Sequence, residues 1–130
     1  MLLIIEDNLD LVELYRAALK LIQVVPQVEV TGPGALRRIM KATSEAPDAV
    51  ILDLHLKKEG NVEVSGRELF TAMRLAWPQT RIIVVSADIV WCAQFQGVAD
   101  AVVEKPIADM GEFLKMIQGF LNDEASQRCS

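Results

Sequence analysis

The chain has two cysteines, one histidine and no cluster of basic residues longer than a pair, and each scarcity removes a class of function. Cys92, Cys129 and His55 do not form a metal-ligand spacing, so a zinc or iron–sulfur site is not expected. The two thiols read as one packing group and one tail group, with a regulatory disulfide as the other reading. The longest basic clusters are Arg37-Arg38 and Lys57-Lys58, in a chain with net charge −5 and a pI near 4.8. Direct nucleic-acid binding needs a basic face and is not expected. No apolar run approaches the roughly 20 residues of a membrane span, and none follows a basic leader. The opening MLLII suggests a cytoplasmic protein.

What is present suits one packed domain. The sequence has 130 residues, 52% hydrophobic and 24% charged, which argues against disorder. We place the domain at residues 1–121 and a polar tail at 122–130. Apolar runs and helical stripes alternate five times. Leu2 to Ile5 precedes a 3.6-period stripe at Leu11, Leu14, Tyr15, Ala18, Leu19 and Ile22. Val28 to Thr31 alternates like an edge strand, and Leu36, Ile39 and Met40 mark a short helix ending before Pro47. Ala49 to Leu52 is an unbroken apolar run with β-branched residues, as in a strand covered on both faces. Ser65-Gly-Arg-Glu68 is a capping-box pattern, followed by Leu69, Phe70, Met73 and Trp77. Ile82 to Val85 and Ala101 to Val103 complete the strands. A short, poorly periodic fourth helix lies between them, and Met110 to Leu121 forms the last helix. Such alternation implies right-handed crossovers, hence an α/β fold with a parallel sheet and helices on both faces.

In sheets of this kind, function gathers at the carboxyl ends of the strands. Here the first strand ends in Glu6-Asp7, the third in Asp53, the fourth in Ser86 and the fifth in Glu104-Lys105-Pro106. Solvated strand ends explain any one of these residues. They explain the set less well, because three crowded carboxylates repel one another. Carboxylates beside a lysine suit a hard cation, with Mg²⁺ favoured.

Four segments carry a resemblance: Ile4-Ile-Glu-Asp-Asn8, Val50-Ile-Leu-Asp-Leu54, Val84-Val-Ser-Ala87 and Glu104-Lys-Pro106. In this order, at the ends of strands one, three, four and five, they resemble the signatures of the response-regulator receiver domain of two-component signalling. The resemblance implies a CheY-like, flavodoxin-like sheet in the order 2-1-3-4-5. Asp53 would be the phosphoacceptor, supplied by a sensor histidine kinase or phosphotransfer protein. Mg²⁺ would be held by Asp7 and Asp53, by Glu6 through water and by the backbone carbonyl of His55. Lys105 and Ser86 would bind phosphoryl oxygens, and the Lys105-Pro106 bond would be cis. The protein would promote only its own phosphorylation and dephosphorylation, and would act on a downstream partner or output domain, with homodimerisation possible.

Several positions depart from the family pattern. Leu56-Lys57 replaces the usual Met-Pro, and the polar loop to the third helix is longer, through Val64. It reads either as surface drift or as a docking element or lid. Val102 stands where many receivers carry Tyr or Phe. By the same resemblance His55 and Asp88 would flank the attacking water; the other reading of His55 is a solvent-exposed side chain whose carbonyl alone serves the metal. Trp91, Cys92 and Phe95 either cover the sheet or expose a docking patch. The expectation is a stand-alone receiver. Two rivals are a docking or dimerisation module that needs no phosphate, and a small phosphohydrolase. The phosphohydrolase would need a second acid at position 55, where His55 stands.

Overall fold

The computed structural model describes residues 1–41 and 45–129, of which 123–129 are described as backbone only. Five strands form one parallel sheet in the order β2-β1-β3-β4-β5: β1 (Leu2–Ile5), β2 (Gln27–Glu29), β3 (Ala49–Asp53), β4 (Arg81–Ser86) and β5 (Ala101–Glu104). The helices are α1 (Leu9–Lys20), α2 (Gly32–Met40), α3 (Gly66–Ala76), α4 (Ile89–Phe95) and α5 (Met110–Cys129). The expected α/β class, strand order and short fourth helix are all present.

Strand alternation divides the interior into two cores. Leu3, Ile5, Val50, Leu52, Ile82 and Val84 pack against Ile39 of α2, Phe70 of α3 and Phe95 of α4. Leu2, Ile4, Ile51, Ile83 and Val85 pack against Tyr15 and Leu19 of α1 and Phe113 and Ile117 of α5. β1 and β3 are buried along their whole length, which is why they read as continuous apolar runs.

Helix starts follow local chemistry. Asn8, Thr31, Ser65 and Asp88 each accept backbone N–H bonds from the first turn of α1, α2, α3 and α4. Three details differ from the sequence reading. Thr31 caps α2, so β2 ends earlier, at Glu29. Leu14 and Met40 lie 52% and 74% exposed, because Val12, Tyr15 and Leu19 supply the core face of α1, and Ala35 and Ile39 that of α2. Finally, α5 continues to Cys129, beyond Leu121 and across most of the expected tail; Glu124, Ala125, Gln127 and Arg128 favour helix, and no Pro or Gly interrupts them. The side chain of Cys129 lies outside the described residues, whereas Cys92 is a buried free thiol.

Candidate functional site

The same alternation that builds the second core also aims the polar residues beyond it. Glu6 lies two residues after Ile4, Asp53 two after Ile51 and Lys105 two after Val103, so all three project on the α1/α5 side. The Lys105 ammonium lies 2.7 Å from Glu6 Oε1 and 3.4 Å from Asp53 Oδ1. Glu6 and Asp53 are buried, so a cation between them offsets a desolvation cost neither acid could bear alone. Glu6 Oε2 also accepts from the Asn8 N–H (3.2 Å), and Asp53 Oδ1 accepts from the His55 N–H (3.3 Å).

Burial pushes the Glu6 carboxyl above its ordinary pKa, and the Lys105 hydrogen bond only partly opposes this. Asp7 is likewise raised, by burial and then by Glu6 beside it. For Lys105, burial works to lower the pKa, but the Glu6 hydrogen bond and the charges of Asp53 and Glu6 outweigh it and hold the ammonium above its usual value. Lys105 contacts two of the three acids, Glu6 and Asp53. Each of Glu6, Asp7 and Asp53 offers an oxygen within 4.8 Å of the others. An all-oxygen, acid-rich donor set fits Mg²⁺, which takes one or two carboxylates and keeps several waters. Room for water exists in a cleft of about 420 Å³ lined by Asp7, Asn8, Leu9, Asp10 and Lys57.

Ser86 closes β4 and is fully buried; its Oγ accepts from the Asp88 N–H at 3.0 Å. The Asp88 carboxylate in turn caps α4 through the N–H groups of Val90 and Trp91. His55 Nε2 lies 3.8 Å from Asp88 Oδ2, and the His55 ring meets Trp91 edge-on at 6.1 Å. The Lys105–Pro106 peptide is cis. At the opposite corner, Gly66 lets α3 begin against the strand end: a Cβ there would stand 2.5 Å from Leu54 Cα and 2.7 Å from the Asp53 carbonyl oxygen.

A buried acid paired with a lysine at the head of a 2-1-3-4-5 sheet narrows the identity sharply. Residues 2–118 match the family described as response regulator receiver domain. The chain belongs to that family. No curated protein matches it by sequence. Among solved structures, it resembles the receiver domain of NtrX from Brucella abortus, with 19% identity, a TM-score of 0.76, and 94% of this chain and 98% of that one covered. The receiver domain of a sensor histidine kinase from Pseudomonas aeruginosa, which holds a magnesium ion in its active-site cleft, matches at 18% identity and TM-score 0.75, covering 93% of this chain and 96% of that one. The response regulator TrrA from Thermotoga maritima, in complex with Mg²⁺ and beryllofluoride, matches at 22% identity and TM-score 0.73, covering 92% and 96%. At these identities the likeness to solved structures concerns the fold.

Within this receiver domain, Glu6, Asp7, Asp53 and Lys105 converge at one point, while Ser86 and His55 flank it through Asp88. Val102 is half-buried and packs on the first core. Two features escaped the sequence reading. The long loop carries a small hairpin, bridged from Glu59 to Val62 with Gly60 at φ 61°. Glu59 ties it to α2, accepting from Thr31 Oγ1 at the N-cap (3.0 Å) and from Arg37 in the last turn (2.9 Å). The second feature is a cluster at Trp91, whose ring stacks on Phe95 and lies 5.4 Å from the Arg67 guanidinium. An Arg in the first turn of α3 and a Trp in α4 are distant in sequence and carry no shared motif. The Asp7-Asn8 pair ahead of an apolar stripe, by contrast, is a readable cap signal.

Proposed function

We propose that this receiver domain is a Mg²⁺-dependent phosphorylatable switch with Asp53 as its phosphoacceptor. The observation that carries the reading is the Lys105 ammonium set 3.4 Å from a buried Asp53, beside the Glu6–Asp7–Asp53 cluster. An Asp53 oxygen attacks the phosphorus of a phosphohistidine on a sensor histidine kinase or phosphotransfer protein. The P–N bond breaks, its electron pair leaves with the imidazole nitrogen, and an acyl phosphate forms. Lys105 pairs with one phosphoryl oxygen, and the Ser86 hydroxyl donates to another. Asp7, Asp53, Glu6 through water and the His55 carbonyl would hold Mg²⁺, which supplies charge neutralisation at the phosphoryl oxygens. His55 and Asp88 flank the approach of hydrolytic water and set the lifetime of the phosphorylated form. Catalysis is confined to the protein's own phosphorylation and dephosphorylation. Output passes to a protein partner or output domain in the cytoplasm, without direct contact to nucleic acid, and homodimerisation is one form it can take.

Intact mass after incubation with acetyl phosphate or phosphoramidate and Mg²⁺, with phosphate release read in the same samples, tests this. A phosphoryl increment or release that needs Mg²⁺ and vanishes in Asp53→Asn supports it. If neither adduct nor release appears with Mg²⁺ present, the fold serves as a docking or dimerisation module that needs no phosphate.

A further inference from the structure

Tyr15 is the chain's single tyrosine, and its place in the helical stripe makes it a core residue of α1. Its ring is 1% exposed, packs in the second core and lies 5.9 Å from the Phe113 ring. The packing accounts for the ring but not for the hydroxyl. Among the described residues the buried Tyr15 oxygen has no hydrogen-bond partner. A buried hydroxyl is expensive to leave unmatched, so an orphan of this kind calls for a partner in some state of the molecule. The nearest chemistry is the acidic site. Glu6 projects on the α1/α5 side of the sheet, as the second core does. Burial first, then the negative charges of Glu6 and Asp53, hold the hydroxyl protonated well above the usual tyrosine range. It is a donor without an acceptor, set in the field of two carboxylates.

We propose that Tyr15 is a positioning residue for Glu6: its hydroxyl donates to the Glu6 carboxylate when Lys105 leaves for the phosphoryl group. The inference rests on Asp53 being the phosphoacceptor. In the metal-free protein the Lys105 ammonium makes the buried Glu6 tolerable, at 2.7 Å from Oε1. Loading Asp53 takes that ammonium away, because Lys105 then pairs with a phosphoryl oxygen. Glu6 is 1% exposed, so bulk water does not replace the lost donor. Its Oε2 keeps the Asn8 N–H, and Oε1 needs a new partner. The Tyr15 hydroxyl supplies one from beneath. Each carboxylate oxygen has two lone pairs, so a metal-bound water and the hydroxyl can share the group. The exchange keeps a charge-assisted bond on Glu6 in both states and matches the orphan hydroxyl in the loaded one. Lys105 is thereby released without stranding a buried anion.

Because the chain has one tyrosine, protein labelled with ¹³C at the tyrosine Cζ gives one resonance to follow, and donation to a carboxylate moves it downfield. Spectra are recorded at pH 8, which keeps Glu6 ionised. In one arm the full chain is loaded with beryllofluoride and Mg²⁺, and the ¹⁹F signal of bound fluoride reports independently that Asp53 is occupied. In the other, Lys105→Met in EDTA strips Glu6 of its ammonium without any ligand. Both should move the resonance downfield by more than its linewidth from its place in the metal-free parent. Adding Glu6→Leu to Lys105→Met should return it, which separates donation to Glu6 from a loosened core. Tyr15→Phe should bind beryllofluoride about tenfold more weakly, since it loses a bond made only in the loaded state. The inference is overturned, with the phosphoacceptor reading intact, if bound fluoride appears while the resonance stays put. It is equally overturned by an unmoved resonance in Lys105→Met, by a shift there that survives Glu6→Leu, or by unchanged affinity in Tyr15→Phe. Absence of any bound-fluoride signal overturns the phosphoacceptor reading and this inference with it.

Discussion

Lys105 is the side chain on which the metal-free site depends most. It bonds Glu6 at 2.7 Å and faces Asp53 at 3.4 Å, and both acids are buried. Removing one partner of a buried pair leaves the other charge uncompensated, a cost of about 3–5 kcal/mol for full burial. The Lys105 side chain is 21% exposed, so water softens the loss. We expect Lys105→Met to destabilise the metal-free protein by roughly 1–3 kcal/mol in urea unfolding. Asp53→Asn should go the other way or be neutral, because it removes one of three mutually repelling acids and keeps the shape. An equal loss in both variants would mean that charge balance is not what governs stability here. Cys92 offers a contrast at the same scale. Burial pushes its thiol above the ordinary range, then Glu104 and Asp88 add to the shift, and the side chain is 3% exposed. A raised pKa means less thiolate in the folded state at any given pH. In a Cys129→Ser background, Cys92 should therefore react with iodoacetamide far more slowly in native than in urea-unfolded protein at pH 8. Comparable rates would show that the α4 region opens readily.

At the scale of elements, two glycines set where α2 and α3 meet the loop after β3. A Cβ on Gly66 would meet the Leu54 Cα and the Asp53 carbonyl, both backbone. A Cβ on Gly32 would fall 2.1 Å from the Val64 carbonyl oxygen, again backbone, so neither clash is relieved by a side-chain rotation. Gly66→Ala should cost about 2–4 kcal/mol, in the range of overpacking and backbone strain, and should lower the yield of acetyl-phosphate labelling because Asp53 moves with its strand end. A variant of unchanged stability that labels normally would contradict the close approach. The legibility of these elements was uneven for physical reasons. β1, β3 and β4 were plain because burial on both faces enforces apolar runs. β2 was misjudged at its end because Thr31 serves equally as a β-branched strand residue and as a helix cap. Nothing in Lys57 to Val64 announced that Glu59 would anchor the hairpin to Thr31 and Arg37, since both partners lie more than twenty residues upstream.

For the molecule as a whole, the site is a place where the fold accepts a local conflict. Three short segments, far apart in sequence, carry Glu6 and Asp7, Asp53, and Lys105, and the topology brings them together because parallel strands all end on one edge. That made the composition of the site readable from the sequence, whereas the contacts of His55 with Trp91 and Asp88 depend on side-chain packing that no motif encodes. The conflict has a measurable consequence. Three acids whose oxygens lie within 4.8 Å weaken the metal-free state, and anything that binds them only when assembled stabilises the folded chain by linkage. At a Mg²⁺ concentration one hundred times its dissociation constant the gain is about 2.7 kcal/mol. For a domain of this size that corresponds to a rise in Tm of roughly 10 °C, since each kcal/mol moves the midpoint by about 3–5 °C. Ca²⁺ should give a smaller rise if the cluster holds the smaller ion with its waters, and Asp53→Asn should lose most of the Mg²⁺ effect while keeping a midpoint at or above the parent's in EDTA. A Tm that ignores Mg²⁺ in the parent, or rises equally in Asp53→Asn, would show that the cluster does not assemble a cation site around Asp53.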